Sequence, residues 1–385
     1  MISMNPINLS YFPKDYEQSR TRFLQETSQH EGKPKLHQWK VPCARDQNLF
    51  VDSAYLPALN NKKRLFILIS GTHGLEGYAG SGIQQLFLQE FLNKIDRSDS
   101  GFLIIHSLNP FGFKYHRRGT EAGVNLNRNC SIEASFFQIQ NRKSMEFAKQ
   151  FIPTQPVASE ISQLLKVMKK NGDGVLFDDV SMDEFIKVVG LGQFHDARGL
   201  EYGGAAPEPQ IEALIHLLKE LIPQYKDVVH LDLHTGLGER GRLHLLIDGQ
   251  PEALHPDLFA EILDPGLDKE VYDFTDINDP GFYKTRGATN NLIAELITPA
   301  QRACALTLEF GTLGHSLEAQ FKALNSWMLE HQGLFYGYAN KELENKVRDL
   351  YLERFFPSDS KWKEAILRVS YEFFKRVFSR SGILN

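Results

Sequence analysis

Three things are scarce in this chain of 385 residues, and each scarcity excludes something. Cysteine occurs only as Cys43, Cys130 and Cys304, widely separated, which rules out a disulfide framework or a cysteine-built zinc site and suits a reducing compartment. No stretch approaches the roughly 20 consecutive apolar residues that span a bilayer, so no membrane partner is expected. Charge of one sign is not in excess either: 43 Lys+Arg face 48 Asp+Glu, a formal net charge of -5. Without a general attraction to phosphate backbones, nucleic acid is not an expected partner. Residues 1–20 lack a basic start, an unbroken apolar stretch and a small-residue cleavage site. They read as mature protein, and the expected location is cytoplasmic, signal-independent export aside.

What is present is a globular composition with buried-strand signals. Continuous runs rich in branched or aromatic residues occur at 64–70 (RLFILIS), 102–107 (FLIIHS), 227–233 (DVVHLDL), 242–248 (RLHLLID) and 304–310 (CALTLEF). Such runs mark strands covered on both faces. Apolar stripes at helical spacing lie between them, over 77–94 and 208–221. Strands alternating with helices predict an α/β fold: a mixed, centrally parallel sheet with helices on both faces. The more polar stretch 132–190, with a weak helical pattern at 159–169, is expected to be an insertion. The tail is expected to be helical, with Trp362, Ile366, Val369, Phe373 and Val377 forming a core-facing stripe. The simplest organisation is one domain over 1–385, with a core at about 35–330, the insertion, and a helical extension over 331–385.

The sharpest local feature is Ser70-Gly71-Thr72-His73-Gly74-Leu75-Glu76-Gly77, between a predicted strand and a predicted helix. Ligands of open α/β sheets bind beyond the carboxyl ends of strands. A His and a Glu three apart across such a junction can turn a ring nitrogen and a carboxylate toward one cation. The pair alone is weak evidence, since His315-Ser316-Leu317-Glu318 repeats the spacing and is read simply as a helix start. What distinguishes the first pair is its company. His230-Leu231-Asp232-Leu233-His234-Thr235-Gly236 puts a second His at the end of another strand. Two His and one carboxylate make the three-ligand set of a catalytic zinc, with Asp232 placed to support a ligand. Glu309 is a carboxylate within an apolar strand, a costly placement unless it is paired or functional. Beside such a metal it could serve as a general base. Arg117, Arg118 and the run Asn125-Leu126-Asn127-Arg128-Asn129 follow the strand 102–107; arginines there could grip a carboxylate or stabilise an oxyanion.

Taken together, His73-x-x-Glu76, the arginines, Asn127-Arg128, His234 and Glu309 resemble the zinc carboxypeptidase superfamily, which includes the aspartoacylase and succinylglutamate desuccinylase deacylases. SGTHGLEGYAGSG, NPFGF, RRG, NLNRN, DLHTGLG and LEFGT look closest to a poorly characterised bacterial branch, in islands spread over 65–314. The resemblance implies one zinc ion held by His73, Glu76 and His234, with Glu309 as general base and acid. It further implies that Arg118, or its neighbour Arg117, polarises the scissile carbonyl, and that Asn127 with Arg128 holds a terminal carboxylate. Tyr283, in the turn Asp279-Pro280-Gly281-Phe282-Tyr283, would cap the substrate, with Tyr272 as a competitor. One position departs from the family pattern: Asn125 stands where an acidic residue usually supports the first zinc histidine. The implied function is a metallocarboxypeptidase acting on a small peptide. The alternatives are an N-acyl amino-acid deacylase and, from another class, a non-catalytic zinc-binding or interaction protein. The insertion 132–190 and the run 192–204 have no counterpart in the well-known carboxypeptidases and are expected to shape the pocket.

Overall fold

The computed structural model describes residues 8–171, 174–177, 180–247, 251–264, 266, 268–275 and 284–384. The strands are β1 (Lys35–Lys40), β2 (Phe50–Leu56), β3 (Arg64–Ser70), β4 (Ser100–His106), β5 (Met168–Asn171), β6 (Gly174–Phe177), β7 (Val180–Ser181), β8 (Asp227–Gly236), β9 (Leu243–Leu246), β10 (Tyr272–Thr275) and β11 (Arg302–Gly311). Eight of them form one sheet in the order β1-β2-β4-β3-β8-β11-β9-β10, and β5, β6 and β7 form a small second one. The centre of the main sheet is parallel, β4 to β3 to β8 to β11, while β1, β2 and β9 join antiparallel. The mixed, centrally parallel α/β architecture expected from the strand runs is what the chain adopts.

Each central strand follows from its composition. All of β3 and β4 is buried, as continuous apolar runs require when helices cover both faces. The edge strand β1 and its neighbour β2 carry no such run. β1 alternates between exposed and half-buried positions, and β2 buries Asp52, which is held by Arg20 Nε at 2.7 Å and Gln38 Nε2 at 2.9 Å. A polar edge such as β1 protects a sheet from further pairing, and for the same reason apolar periodicity does not find it.

The tail is three helices, Leu317–Tyr336, Lys341–Phe355 and Ser360–Arg380, started by Ser316, Asn340 and Asp359, whose side chains accept from the first-turn amides. The last helix buries Trp362, Ile366, Phe373 and Val377 as its spacing predicts, with Val369 half-buried. Phe378 on it packs against Phe66, Phe87, Phe91, Phe102 and Phe374, with ring centroids 5.6 to 6.0 Å apart. Trp362 Nε1 donates to Gly311 O at 2.8 Å, tying this helix to the end of β11.

The stretch 132–190 contains the helices Arg142–Phe151 and Met182–Gly190. The weak helical pattern over 159–169 yields only Gln163–Val167, because β5 begins at Met168. Phe147, Phe151, Leu164, Met182, Phe185 and Val189 pack with Leu324 and Met328 of the helix Leu317–Tyr336, a hydrophobic cluster separate from that of the main sheet.

Phe378→Ala should therefore destabilise the protein by about 3–5 kcal/mol, read as a fall in the urea midpoint at unchanged slope. A loss below 1 kcal/mol would show that the aromatic cluster contributes little.

Candidate metal centre and active site

Strand register brings the motif residues together. The parallel pairing of β11 with β8 sets Glu309 opposite His234 and Thr307 opposite Asp232. On the other flank of β8, β3 ends at Ser70, level with Leu233. Gly71, at φ +65°, then turns the chain in a conformation that a side chain resists. His73 and Glu76 follow on the short turn Gly74–Glu76. A Cβ on Gly74 would lie 2.2 Å from Gly112 Cα, so this turn rests backbone on backbone against the helix Pro110–Tyr115. Asn109 caps that helix, its Oδ1 accepting from Gly112 N at 2.9 Å.

His73, Glu76 and His234 are all buried, and one ligand atom from each lies within 4.8 Å of the others. The Nδ1 atoms of the two imidazoles face each other at 3.2 Å. Glu76 bridges them, Oε1 at 2.9 Å from His73 Nδ1 and Oε2 at 3.0 Å from His234 Nδ1, while Thr235 N donates to Oε2 at 3.0 Å. Behind the rings, His73 Nε2 meets Asn125 Oδ1 at 3.1 Å and His234 Nε2 meets Asp232 Oδ2 at 2.9 Å. Asp232 is itself fixed by the hydroxyls of Thr72, at 3.0 and 3.1 Å, and Thr289, at 2.7 Å. With each Nε2 turned to an oxygen behind it, both Nδ1 atoms point inward with a carboxylate between them. That donor set fits a zinc ion with room for a further ligand. A positive group already lies against it: Arg118 Nη1 is 3.2 Å from His73 Nδ1 and 3.4 Å from Glu76 Oε1.

Electrostatics divides the two glutamates. Burial opposes the charge of Glu76, but the neighbouring imidazoles outweigh it and hold this carboxyl well below the usual range. Burial, reinforced by the charge of Glu76, instead pushes Glu309 up to about 7. Glu309 Oε1 accepts from Leu237 N at 2.8 Å. A carboxylate poised near neutrality beside a cation site suits proton transfer.

Of the sequence candidates, His73, Glu76, Arg118, Asn127, Arg128, His234 and Glu309 line one cavity. Arg117 does not belong to it. Its Nη1 donates to Glu330 Oε1 at 2.6 Å in a buried ion pair, so of the two adjacent arginines the site receives Arg118. Arg128 is fully buried; its Nε donates to Gly190 O at 2.8 Å and its Nη1 to Asn127 O at 2.7 Å, which fixes the guanidinium. Tyr283 and the turn from Asp279 lie outside the described residues. Tyr272, its competitor, is buried in β10 with its hydroxyl 3.2 Å from Asp268 Oδ2. His315 is exposed just before the helix Leu317–Tyr336, in keeping with a helix start.

Two residues at the site carry no sequence signal of their own. Glu201, in the segment 201–204, bonds Arg118 Nε at 3.3 Å and approaches Arg128 Nη2 at 3.4 Å. Arg354 reaches back from the helix Lys341–Phe355 to line the cavity, its guanidinium 4.7 Å from the Phe355 ring centre. A second compartment continues past Arg118, Gly236, Leu237 and Arg354. Its wall is largely apolar, with Ile186, Leu313, Ala319, Ala323, Leu324 and Trp327.

The raised Glu309 carboxyl has a stability consequence whose sign is fixed. The folded state holds this proton more tightly than the unfolded chain does, so the contribution is complete below pH 4.5 and is lost as pH rises through about 7. In chelator-treated protein, Glu309→Gln should therefore gain on the parent between pH 5 and pH 8 by on the order of 3 kcal/mol, seen as a growing difference in Tm. A pH-independent difference would show that Glu309 titrates normally.

Among solved structures the chain is similar to a carboxypeptidase A from Helicoverpa armigera, at 12% identity and TM-score 0.47 over 90% of this chain and 75% of that one. It is also similar to a metallo-carboxypeptidase from Burkholderia cenocepacia, at 15% identity and TM-score 0.41 over 83% and 69%. A third is the metallo-carboxypeptidase from Pseudomonas aeruginosa in complex with (2-guanidinoethylmercapto)succinic acid, at 12% identity and TM-score 0.41 over 84% and 69%. No curated protein matches. Residues 12–369 match the family described as protein of unknown function, DUF2817, and the chain belongs to that family.

Proposed function

We propose that this protein is a zinc-dependent hydrolase that cleaves an amide bond next to a carboxylate, acting as a metallocarboxypeptidase on peptides or peptide-like molecules. The observation that carries this reading is one cavity that combines a His-Glu-His donor set with the buried Glu309 and with Arg118. His73, Glu76 and His234 would hold one zinc ion. When bound, zinc supplies Lewis acidity and lowers the pKa of water toward neutrality.

The chain's own residues divide the remaining work. Glu309 takes a proton from the water that attacks the carbonyl carbon and returns it to the nitrogen as the C–N bond breaks, leaving a carboxylic acid and a free amine. Arg118 donates N–H groups to the oxyanion that develops on the carbonyl oxygen. Asn127, together with the positive field of the fixed Arg128, orients the carboxylate of the amine-side product. The carboxylate-binding end thus lies in the first compartment, and the acyl side of the scissile bond extends past Arg118 toward the second.

A second reading, an N-acyl amino-acid deacylase, is favoured by that second compartment, whose apolar wall suits an acyl chain as well as an apolar penultimate side chain. Peptide and N-acyl amino-acid series with the same terminal residue separate the two.

Two measurements test the proposal. Zinc-loaded parent should hydrolyse members of such a library, and Glu309→Gln should keep its zinc while losing about 10²–10⁴-fold in kcat. A parent that binds zinc and captures these ligands without turnover would establish a binding protein instead. Ala323→Phe, which fills the second compartment, should lower kcat/KM for bulky acyl groups by about 10-fold or more relative to acetyl. An equal effect on both would place the acyl group elsewhere.

A further inference from the structure

We propose that Glu201 is a positioning residue of the metal centre: acting through the amide of Asn125, it fixes the tautomer of His73 and supplies the negative charge that supports it. The inference rests on the zinc reading above.

The two histidines are backed differently. His234 Nε2 meets a carboxylate directly, Asp232 Oδ2 at 2.9 Å. His73 Nε2 meets a neutral amide, Asn125 Oδ1 at 3.1 Å. An amide can present either its oxygen or its nitrogen, and only the oxygen forces a proton onto His73 Nε2 and leaves Nδ1 bare as a ligand atom. Glu201 settles that choice. Its ionised carboxylate can only accept, and Asn125 Nδ2 donates to Oε2 in a short hydrogen bond. Asn125 Oδ1 must then face His73, and the amide of Asn127 secures it there, its N–H donating to Oδ1 at 2.9 Å.

Glu201 is ionised in this setting. Burial opposes its charge, but Arg118 and Arg128 outweigh that and hold the carboxyl at about 2. Those arginines lie farther from it than Asn125 does, at 3.3 and 3.4 Å. The backbone of Glu201 also sits at φ +48°, a left-handed conformation that a glutamate adopts only when its surroundings insist. Gln193 N donates to Glu201 O at 3.2 Å and Gly203 N to Gln193 O at 2.8 Å, so the strained residue is braced on both sides. The charge that His234 receives in one step thus reaches His73 in two, through a buried chain His73–Asn125–Glu201.

The test exchanges the members of that chain. Zinc affinity is measured by chelator competition for the parent, for Glu201→Gln, and for the double exchange Asn125→Asp with Glu201→Gln. In the double exchange the acid moves next to His73, an amide takes the outer place, and net charge is kept. Glu201→Gln should weaken zinc binding by about 10–100-fold, and the double exchange should restore it to within about threefold of the parent. Equal affinity of Glu201→Gln and parent, or a double exchange as weak as the single variant, would overturn the role. If Glu201→Gln does not fold, the double exchange decides alone: parental affinity supports the proposal, and affinity at least 10-fold weaker refutes it. Failure of both to fold would make Glu201 a structural residue and also refute it. A parent that binds no zinc would instead defeat the metal reading itself, so the two failures are distinguishable.

Discussion

The cavity depends on a single constraint, the register of three parallel strands that end side by side. Pairing of β8 with β11 places His234 next to Glu309, and pairing of β3 with β8 delivers the His73–Glu76 turn to the same edge. A slip of one residue in β8 would turn His234 and Asp232 to the opposite face. The opposite end of these strands is pinned by charge. Arg64 at the start of β3 approaches Asp227 at the start of β8 to 3.5 Å, and Arg302 at the start of β11 bonds the same carboxylate at 2.7 Å. Apolar burial forms the strands, and this partly buried network holds them in step.

Charge within the cavity is arranged in opposed pairs. Burial, reinforced by Glu76, which its imidazoles hold ionised, raises Glu309, so two carboxyls of one cavity are suited to different tasks. Asp232 and Glu201 stand behind the two rings, each locked by donors of its own. None of these carboxyls could be buried cheaply by itself; each is tolerated because the next group in the network satisfies it.

The centre of the sheet could be read from sequence because strands buried on both faces need continuous apolar runs, as RLFILIS in β3 shows. β1 and β2 could not: the edge strand β1 exposes polar side chains, and β2, one place inside it, is buried but interrupted by Asp52 and Ser53. His73 and Glu76 were legible only in company with His234 and Glu309 at other strand ends, because the same spacing recurs at His315 and Glu318. Glu201 was not, because its partners Arg118, Asn125 and Arg128 lie more than 70 residues away along the chain and meet it only after folding. Arg117 and Arg118 are indistinguishable in sequence; Glu330, from a distant helix, claims the first and leaves the second to the cavity. The helical pattern at 159–169 held only over Gln163–Val167, cut off at its end by the start of β5.

The separate hydrophobic cluster built from the stretch 132–190 and the helix Leu317–Tyr336 has a further consequence. Ile186 and Ala323, on the wall of the second compartment, stand on elements packed around that cluster and outside the main sheet. The inner wall, with His73, Glu76, His234 and Glu309, is anchored to the ends of β3, β8 and β11. Side chains such as Ile186 and Ala323 can therefore be exchanged without touching those strands, whereas Gly190 and Glu201, on the same wall, are tied to Arg128 and Asn125. Recasting the first kind changes the shape of the second compartment while β3, β8 and β11 still hold His73, Glu76, His234 and Glu309 in place.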